Sequence, residues 1–303
     1  MNTALYRGRI TMILLNIFKA IIEIDFFRNA IIAAIIIGVI SPLVGTVVVI
    51  RRLSNIADTL SHFSLAGVVI GVFLAKILVP ILKISIDPIF MGIIFSIGGT
   101  FLIEKIRNFY RNYKELSMAI IISLGVSLTG LFISITDGIT TSFTTALLFG
   151  SILAVSLTDL ILVLFFAICI FVFIVFYYRQ IITLCFDETY ARISGINVKR
   201  LQLAITIVLA LTISIFIELV GVLLISTLLI IPVASSILIG KSFKSTIVIS
   251  IIISMFSILV GFTASYYFLW PLGSTIALVN IILLFIIFFT LKIRDIRYKT
   301  KKK

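Results

Sequence analysis

Apolar residues fall into nine blocks of about twenty positions, at roughly 29–50, 60–79, 86–106, 117–136, 156–178, 201–217, 219–239, 245–267 and 273–292. Twenty helical residues rise about 30 Å, the thickness of a bilayer's hydrocarbon core, so each block predicts a membrane-spanning helix. The two blocks within 201–239 form one apolar run, too long for a single crossing. Glu218 and Gly221 interrupt it and predict a hairpin there. Ahead of the first block, Ile10, Ile13, Leu14, Ile17, Phe18, Ile21 and Ile24 recur at helical spacing, broken by Asn16, Lys19 and Glu23. That pattern predicts an amphipathic helix over 10–26 lying in the membrane interface. A tenth crossing there is the alternative. The expected organisation is an interfacial segment 1–27, a transmembrane region 28–292 and a basic tail 293–303, with no soluble domain and no internal repeat.

Composition agrees with this pattern. Hydrophobic residues make up 61% of the 303 positions and charged residues 12%, with a mean hydropathy of +1.32. A soluble domain of this size cannot hide so much apolar surface. The fold class is therefore all-α, a polytopic helical bundle of eight to ten spans. No short apolar core with a small-residue cleavage site opens the chain, so no cleaved signal is expected. Cys169 falls in an apolar block and Cys185 just beyond its basic end, a placement that suits packing rather than a disulfide or a metal site.

Charge sets the orientation. The net charge of +13 gathers at 51–52, 105–114, 179–200, 241–244 and in the tail from Lys292 to Lys303, while 137–155 carries no basic residue. The basic stretches follow every second counted span and so share one side, which the positive-inside bias makes the cytoplasmic one, with the C-terminus there too. Short interfacial basic clusters suit contact with anionic lipid, and nothing in their distribution suits a nucleic acid. The longest soluble connection, 179–200, opens with Phe186-Asp187-Glu188 and is helical by propensity. It is either a docking segment for a partner or a plain solvated loop.

Against this background two ionisable residues stand out. Asp58 and His62, the chain's one histidine, are four residues apart. On a helix they share a face, separated by about 40°. Ionisable groups in a span are costly, about 3 kcal/mol for a central aspartate, so they ask for a function. A carboxylate with an imidazole suits a divalent cation such as zinc or manganese. The alternative is a polar pair that pins two helices together. Gly67 and Gly71 fall at about 180° and 220° from Asp58, a small-residue face for a neighbouring helix. Glu218 is a weaker candidate for the cation path. Glu104 is expected to pair with Lys105, Arg107 and Arg111.

Enzyme readings find little support. One histidine excludes a His-Glu-x-x-His metalloprotease, and no Gly-x-Ser-x-Gly elbow occurs. Gly240-Lys241-Ser242 ends like a phosphate-binding loop, but Ser235 stands where the first glycine belongs and a membrane span precedes it. The chain therefore has no ATP-hydrolysing site of its own.

Four ordered stretches resemble the membrane permeases of ABC-type importers of zinc, manganese or iron(II). They are Val47–Arg52 leading to Asp58-Thr59-Leu60-Ser61-His62, then Leu148-Phe149-Gly150-Ser151, then Phe186-Asp187 through Ala191-Arg192, Gly195 and Lys199-Arg200, and Val220-Gly221-Val222-Leu223-Leu224 to Pro232-Val233-Ala234. Ala57 and Ala66 depart from that pattern, standing where the family usually has Gly and often has Pro. The resemblance implies a permease homodimer in the cell inner membrane, a separate cytoplasmic ATPase and an extracytoplasmic metal-binding protein. It further implies alternating access, with Zn2+ or Mn2+ as passing substrate and no permanently bound cofactor. For ATPase coupling, 233–244 is favoured, with Ala234, Ser235, Ser236 and Lys241; 186–200, with Phe186 and Asp187, is the supporting segment. An ion-coupled secondary transporter is the alternative function, and a non-transporting membrane anchor the remaining one.

Overall fold

The computed structural model describes residues 25–82, 87–110, 113, 115–136, 140–150, 155–268 and 270–301. Of the amphipathic segment expected at 10–26, residues 10–24 lie outside them and 25–26 open the first described helix. Among the described residues the chain forms eleven helices and no strand. They are α1 (Asp25–Ile50), α2 (Ser54–Leu82), α3 (Pro88–Phe109), α4 (Leu116–Ile135), α5 (Thr141–Phe149), α6 (Leu157–Phe176), α7 (Tyr178–Phe186), α8 (Glu188–Ile193), α9 (Val198–Ile237), α10 (Phe243–Phe268) and α11 (Leu272–Lys301). Nine stretches within them are long and apolar enough to cross a membrane, and they coincide with the nine predicted blocks. The protein is a multi-pass membrane protein. The basic tail continues α11 as helix to Lys301.

The helix ends follow from local chemistry. Asp87 caps α3 by accepting from the Ile89 N–H at 3.1 Å, with Pro88 in the first turn. Ser156 and Asp159 form a reciprocal capping box on α6. These two acids, at the end opposite the basic loops, are accounted for by helix capping. Arg52 takes a left-handed φ of 57° in the tight turn from α1 to α2.

The hairpin is real: α9, Val198–Ile237, consists of two helical arms joined across a sharp kink. A straight helix would separate Gln202 from Leu229 by about 40 Å. Instead Arg51 at the end of α1 reaches Gln202 at 3.5 Å, and Gly45, less than two turns earlier, lies against the backbone of Leu229. The reversal occurs at Gly221, whose φ of 77° and ψ of 162° no helix contains. The first arm is Val198–Ile217 and the second Leu219–Ile237. Both arms are central. Leu209, Ile213 and Phe216 of the first and Leu224, Ile225 and Leu229 of the second are fully buried among α1, α2, α3, α10 and α11. Their apolar faces suit a site buried on all sides, whereas α4, α6 and α11 present rows of exposed Leu, Ile and Phe toward lipid.

One connection holds structure beyond the sequence expectation, and a second is helical as expected. The Thr/Ser-rich loop 137–155 contains α5, which packs on α9. The loop 179–200 contains two short helices, α7 and α8, split at Asp187.

Candidate metal pathway and coupling face

Helix α2 begins at Ser54, so Asp58 and His62 sit one and two turns inside it. His62 Nε2 stands 4.0 Å from Asp58 Oδ1, and their side chains are 28% and 47% exposed. That separation is too long for a hydrogen bond and suits two groups facing a common guest. His62 lines a pocket of about 260 Å³ between α2, α4 and α5, walled by Leu65, Val69, Val126, Ile133 and Leu148 with Thr129 and Thr144. A half-exposed carboxylate within a span does not rest against lipid tails; this face needs a polar or protein neighbour. No group of three or more His, Cys, Asp and Glu gathers among the described residues.

The rest of α2 is clamped. A Cβ at Gly67 would fall 2.6 Å from the Met91 carbonyl, and one at Gly71 2.9 Å from Pro88 Cα, so α3 packs closely against this small face. On another side Gly125 of α4 lies against the backbone of His62. Between α2, α3 and α9, the Ser64 hydroxyl meets the Ser214 hydroxyl at 2.9 Å, and both lie within reach of the Gly92 carbonyl, at 3.2 and 3.3 Å. This buried polar junction holds the helix that carries Asp58 and His62. Sequence reasoning missed it, since single serines in apolar runs show no periodic signal.

Away from the basic end, three glycines meet. Gly150 ends α5 at φ 83° and ψ 153°, and Gly221 breaks α9 at φ 77° and ψ 162°, a region that only glycine occupies without strain. A Cβ on Gly221 would strike the Gly150 backbone and Leu148 carbonyl, and one on Gly273 the Phe149 carbonyl. Backbone therefore packs on backbone where α5, the α9 reversal and α11 cross. This gives a physical reason for the Leu-Phe-Gly and Val-Gly stretches. Glu218 lies on the α9 backbone three residues before the break; its side chain is outside the described residues.

At the basic end the structure redistributes the coupling candidates. Ser235 and Ser236 are fully buried, with the Ser236 hydroxyl donating to the Val233 carbonyl at 2.8 Å, and Ala234 is half-buried. Ser235 and Ser236 thus offer no surface to a partner, whereas Ile237, Leu238 and Ile239 of the same segment are exposed. Lys241 is exposed. Helix α8 also stands on the surface, with Tyr190 61% and Ile193 80% exposed. Asp187 caps it, accepting from the N–H groups of Thr189 and Tyr190 at 2.8 and 3.0 Å. Phe186 is exposed and its ring approaches Phe243.

Arg51 fastens α8 to the bundle. It donates to the Leu184 carbonyl at 3.0 Å, to Glu188 at 3.4 Å and to Gln202 at 3.5 Å. Glu188 also accepts from Arg192 at 2.8 Å, which holds its carboxyl below the usual carboxylate range despite partial burial, with Arg51 adding to the effect. Nearby, burial pushes the Cys185 thiol up to about 11, against a smaller opposing pull from Arg51. Both cysteines are free. Glu104 makes no ion pair among the described residues, so its expected pairing with Lys105 and Arg107 is absent.

A buried two-armed hairpin, lipid-facing outer helices, a polar pair within one span and a surface helix at the basic end define a multi-pass helical membrane protein. The chain belongs to the ABC 3 transport family, whose sequence profile matches residues 23–291. It is 32% identical over 266 residues to a probable metal transport system membrane protein of Treponema pallidum, covering 88% of this chain and 96% of that one. It is likewise 32% identical over 259 residues to a probable iron transport system membrane protein of Haemophilus influenzae, covering 86% and 91%. Other relatives carry names for manganese and zinc transport. Among solved structures, PsaBC from Streptococcus pneumoniae in complex with Fab superposes with a TM-score of 0.80 at 25% identity, covering 91% of this chain and 95% of that one.

Proposed function

We propose that this chain is the permease subunit of an ATP-driven importer of a divalent metal ion, zinc or manganese, with iron(II) as a further candidate. His62 lining a pocket inside a span, with the half-exposed Asp58 carboxylate 4.0 Å from it, is the observation that carries this reading. Such ions take four or more ligands, and one chain supplies two side chains here. Two copies related by a twofold axis would present two carboxylates and two imidazoles across a shared path. The half-exposed Asp58 and the open apolar walls around His62 suit that arrangement, and a homodimer would cover them. Histidine favours zinc somewhat over manganese, and the carboxylate suits both.

The basic end faces the cytoplasm of a cell inner membrane in this reading, with the C-terminus there also. A separate ATPase docks on α8, whose exposed Tyr190 and Ile193 form an apolar contact and whose Glu188 is tied through Arg51 to α1, α7 and α9. Movement of the ATPase is thereby passed to the bundle. An extracytoplasmic metal-binding protein delivers the cation at the opposite end.

The test is uptake of radioactive zinc and manganese by cells expressing the permease with its ATPase. Asp58→Ala and His62→Ala should each abolish uptake while membrane level and dimer formation persist. Near-normal uptake in both variants removes the pair from the path. Uptake that persists on a proton gradient with ATP depleted assigns the chain to secondary transport instead.

A further inference from the structure

A crevice of about 280 Å³ opens at the basic end between α3, α8 and the first arm of α9. It is separate from the metal pathway: Ile56 lines it, whereas Asp58 lies about 200° further round α2. Arg107, Arg192 and Lys199 reach it from three different helices, with Glu104 as the one acid in its lining. Arg192 is engaged by Glu188 at 2.8 Å. Arg107 and Lys199 pair with no acid among the described residues. Like charges converging in one crevice repel each other unless an anion enters.

The shape of the crevice indicates what the anion carries. Its floor includes Thr100 and Thr206, which are 4% and 9% exposed. Thr100 lies nine residues before the end of α3, about 14 Å along the axis, so the crevice runs from the interface down into the depth of the bilayer. Beside it on α3, next round the helix from Asn108, Phe101 is exposed and forms an apolar flank along the membrane. An incoming ligand therefore meets cations at the interfacial level and apolar surface below it. A guanidinium and an ammonium together suit a phosphate.

We propose that this crevice binds the phosphate group of an anionic membrane lipid, held between Arg107 and Lys199, with its acyl chains along the Phe101 flank of α3. The experiment uses the purified full-length chain as wild type, as Arg107→Gln/Lys199→Gln and as Arg107→Lys. Each is titrated with phosphatidylglycerol or phosphatidylcholine, and bound lipid is counted by native mass spectrometry. Wild type should prefer phosphatidylglycerol. The double variant should bind it roughly 30-fold more weakly, at about fivefold per removed charge, and Arg107→Lys should keep most of the binding. If the double variant fails to fold, Lys199→Gln alone, at an exposed position, carries the same test with a roughly fivefold loss. Equal binding by wild type and the charge-removal variants overturns the proposal. Displacement of phosphatidylglycerol by millimolar inorganic phosphate also overturns it and assigns the crevice to a soluble anion. Unchanged lipid binding with loss of ATPase co-purification overturns it in favour of a protein partner.

Discussion

Arg51, in the turn after α1, stands 3.4 Å from Glu188 at the start of α8, although 137 positions separate them in the chain. The contact joins a side chain that is 13% exposed to one that is 41% exposed. A surface helix is thus anchored to the interior through one arginine that also holds Leu184 and Gln202.

Replacing Arg51 with Gln should loosen α8 and leave the spans assembled. Loss of its contacts leaves the Leu184 carbonyl without this donor, a cost of about 1–3 kcal/mol where the group stays buried. Metal-stimulated ATP hydrolysis by the reconstituted permease–ATPase complex should fall severalfold, while the amount of permease in the membrane stays near wild type. Unchanged stimulation would show that α8 does not depend on this anchor.

The same anchor sets a pH dependence. The folded carboxyl of Glu188 lies below its ordinary value of 4.5, so its contribution is complete above that value and is lost as pH falls through the lowered one. Co-purification of the ATPase should accordingly be flat from pH 8 to about 5, as far as Glu188 governs it. In Glu188→Gln it should be weaker throughout and lack any acid-dependent loss from this group. A transition near neutral pH that vanishes in Glu188→Gln would contradict this assignment.

Docking on α8 and docking on 233–244 make opposite predictions. Ile193→Ala and Tyr190→Ala, at exposed positions, should keep the fold and lose most ATPase co-purification. Ser236→Trp, at a fully buried position, should instead lower the amount of folded permease, because overpacking a tight helix interface costs about 1–3 kcal/mol. Full ATPase retention in both α8 variants would return the docking site to the exposed part of 237–242.

Gly221→Ala should be far more damaging than Gly98→Ala. The first must adopt a glycine-only conformation, at about 1–3 kcal/mol, and also strikes the Gly150 backbone. At Gly98 an added Cβ meets nothing within 4 Å. Thermal unfolding in detergent measures the difference, and equal midpoints would contradict the backbone crossing.

Cys185 should resist alkylation in the folded protein. With its thiol raised to about 11, only about one molecule in a thousand is thiolate at pH 8. Iodoacetamide labelling should be slow in detergent and become fast after SDS unfolding. Rapid labelling of the folded protein at Cys185, located by mass spectrometry, would show that this environment is wrong.

The nine spans were legible in the sequence because a bilayer rewards any apolar run of about twenty residues, wherever its partners lie. The Asp58/His62 face was legible for a similar reason: a four-residue spacing on one helix is local geometry. The small face of Gly67 and Gly71 could also be read, but not that α3 is the helix pressed against it. The burial of two coupling candidates was not legible, because small residues suit close approach by any neighbour. At Ser235 and Ser236 that neighbour is the chain's own interior. What tertiary structure alone decided involves contacts between distant segments: the meeting of Gly150, Gly221 and Gly273, the Ser64–Ser214 junction and the reach of Arg51 to Glu188. No periodicity marks such contacts. They arise when helices that could each cross a membrane alone must satisfy their remaining polar groups and close backbone approaches against one another.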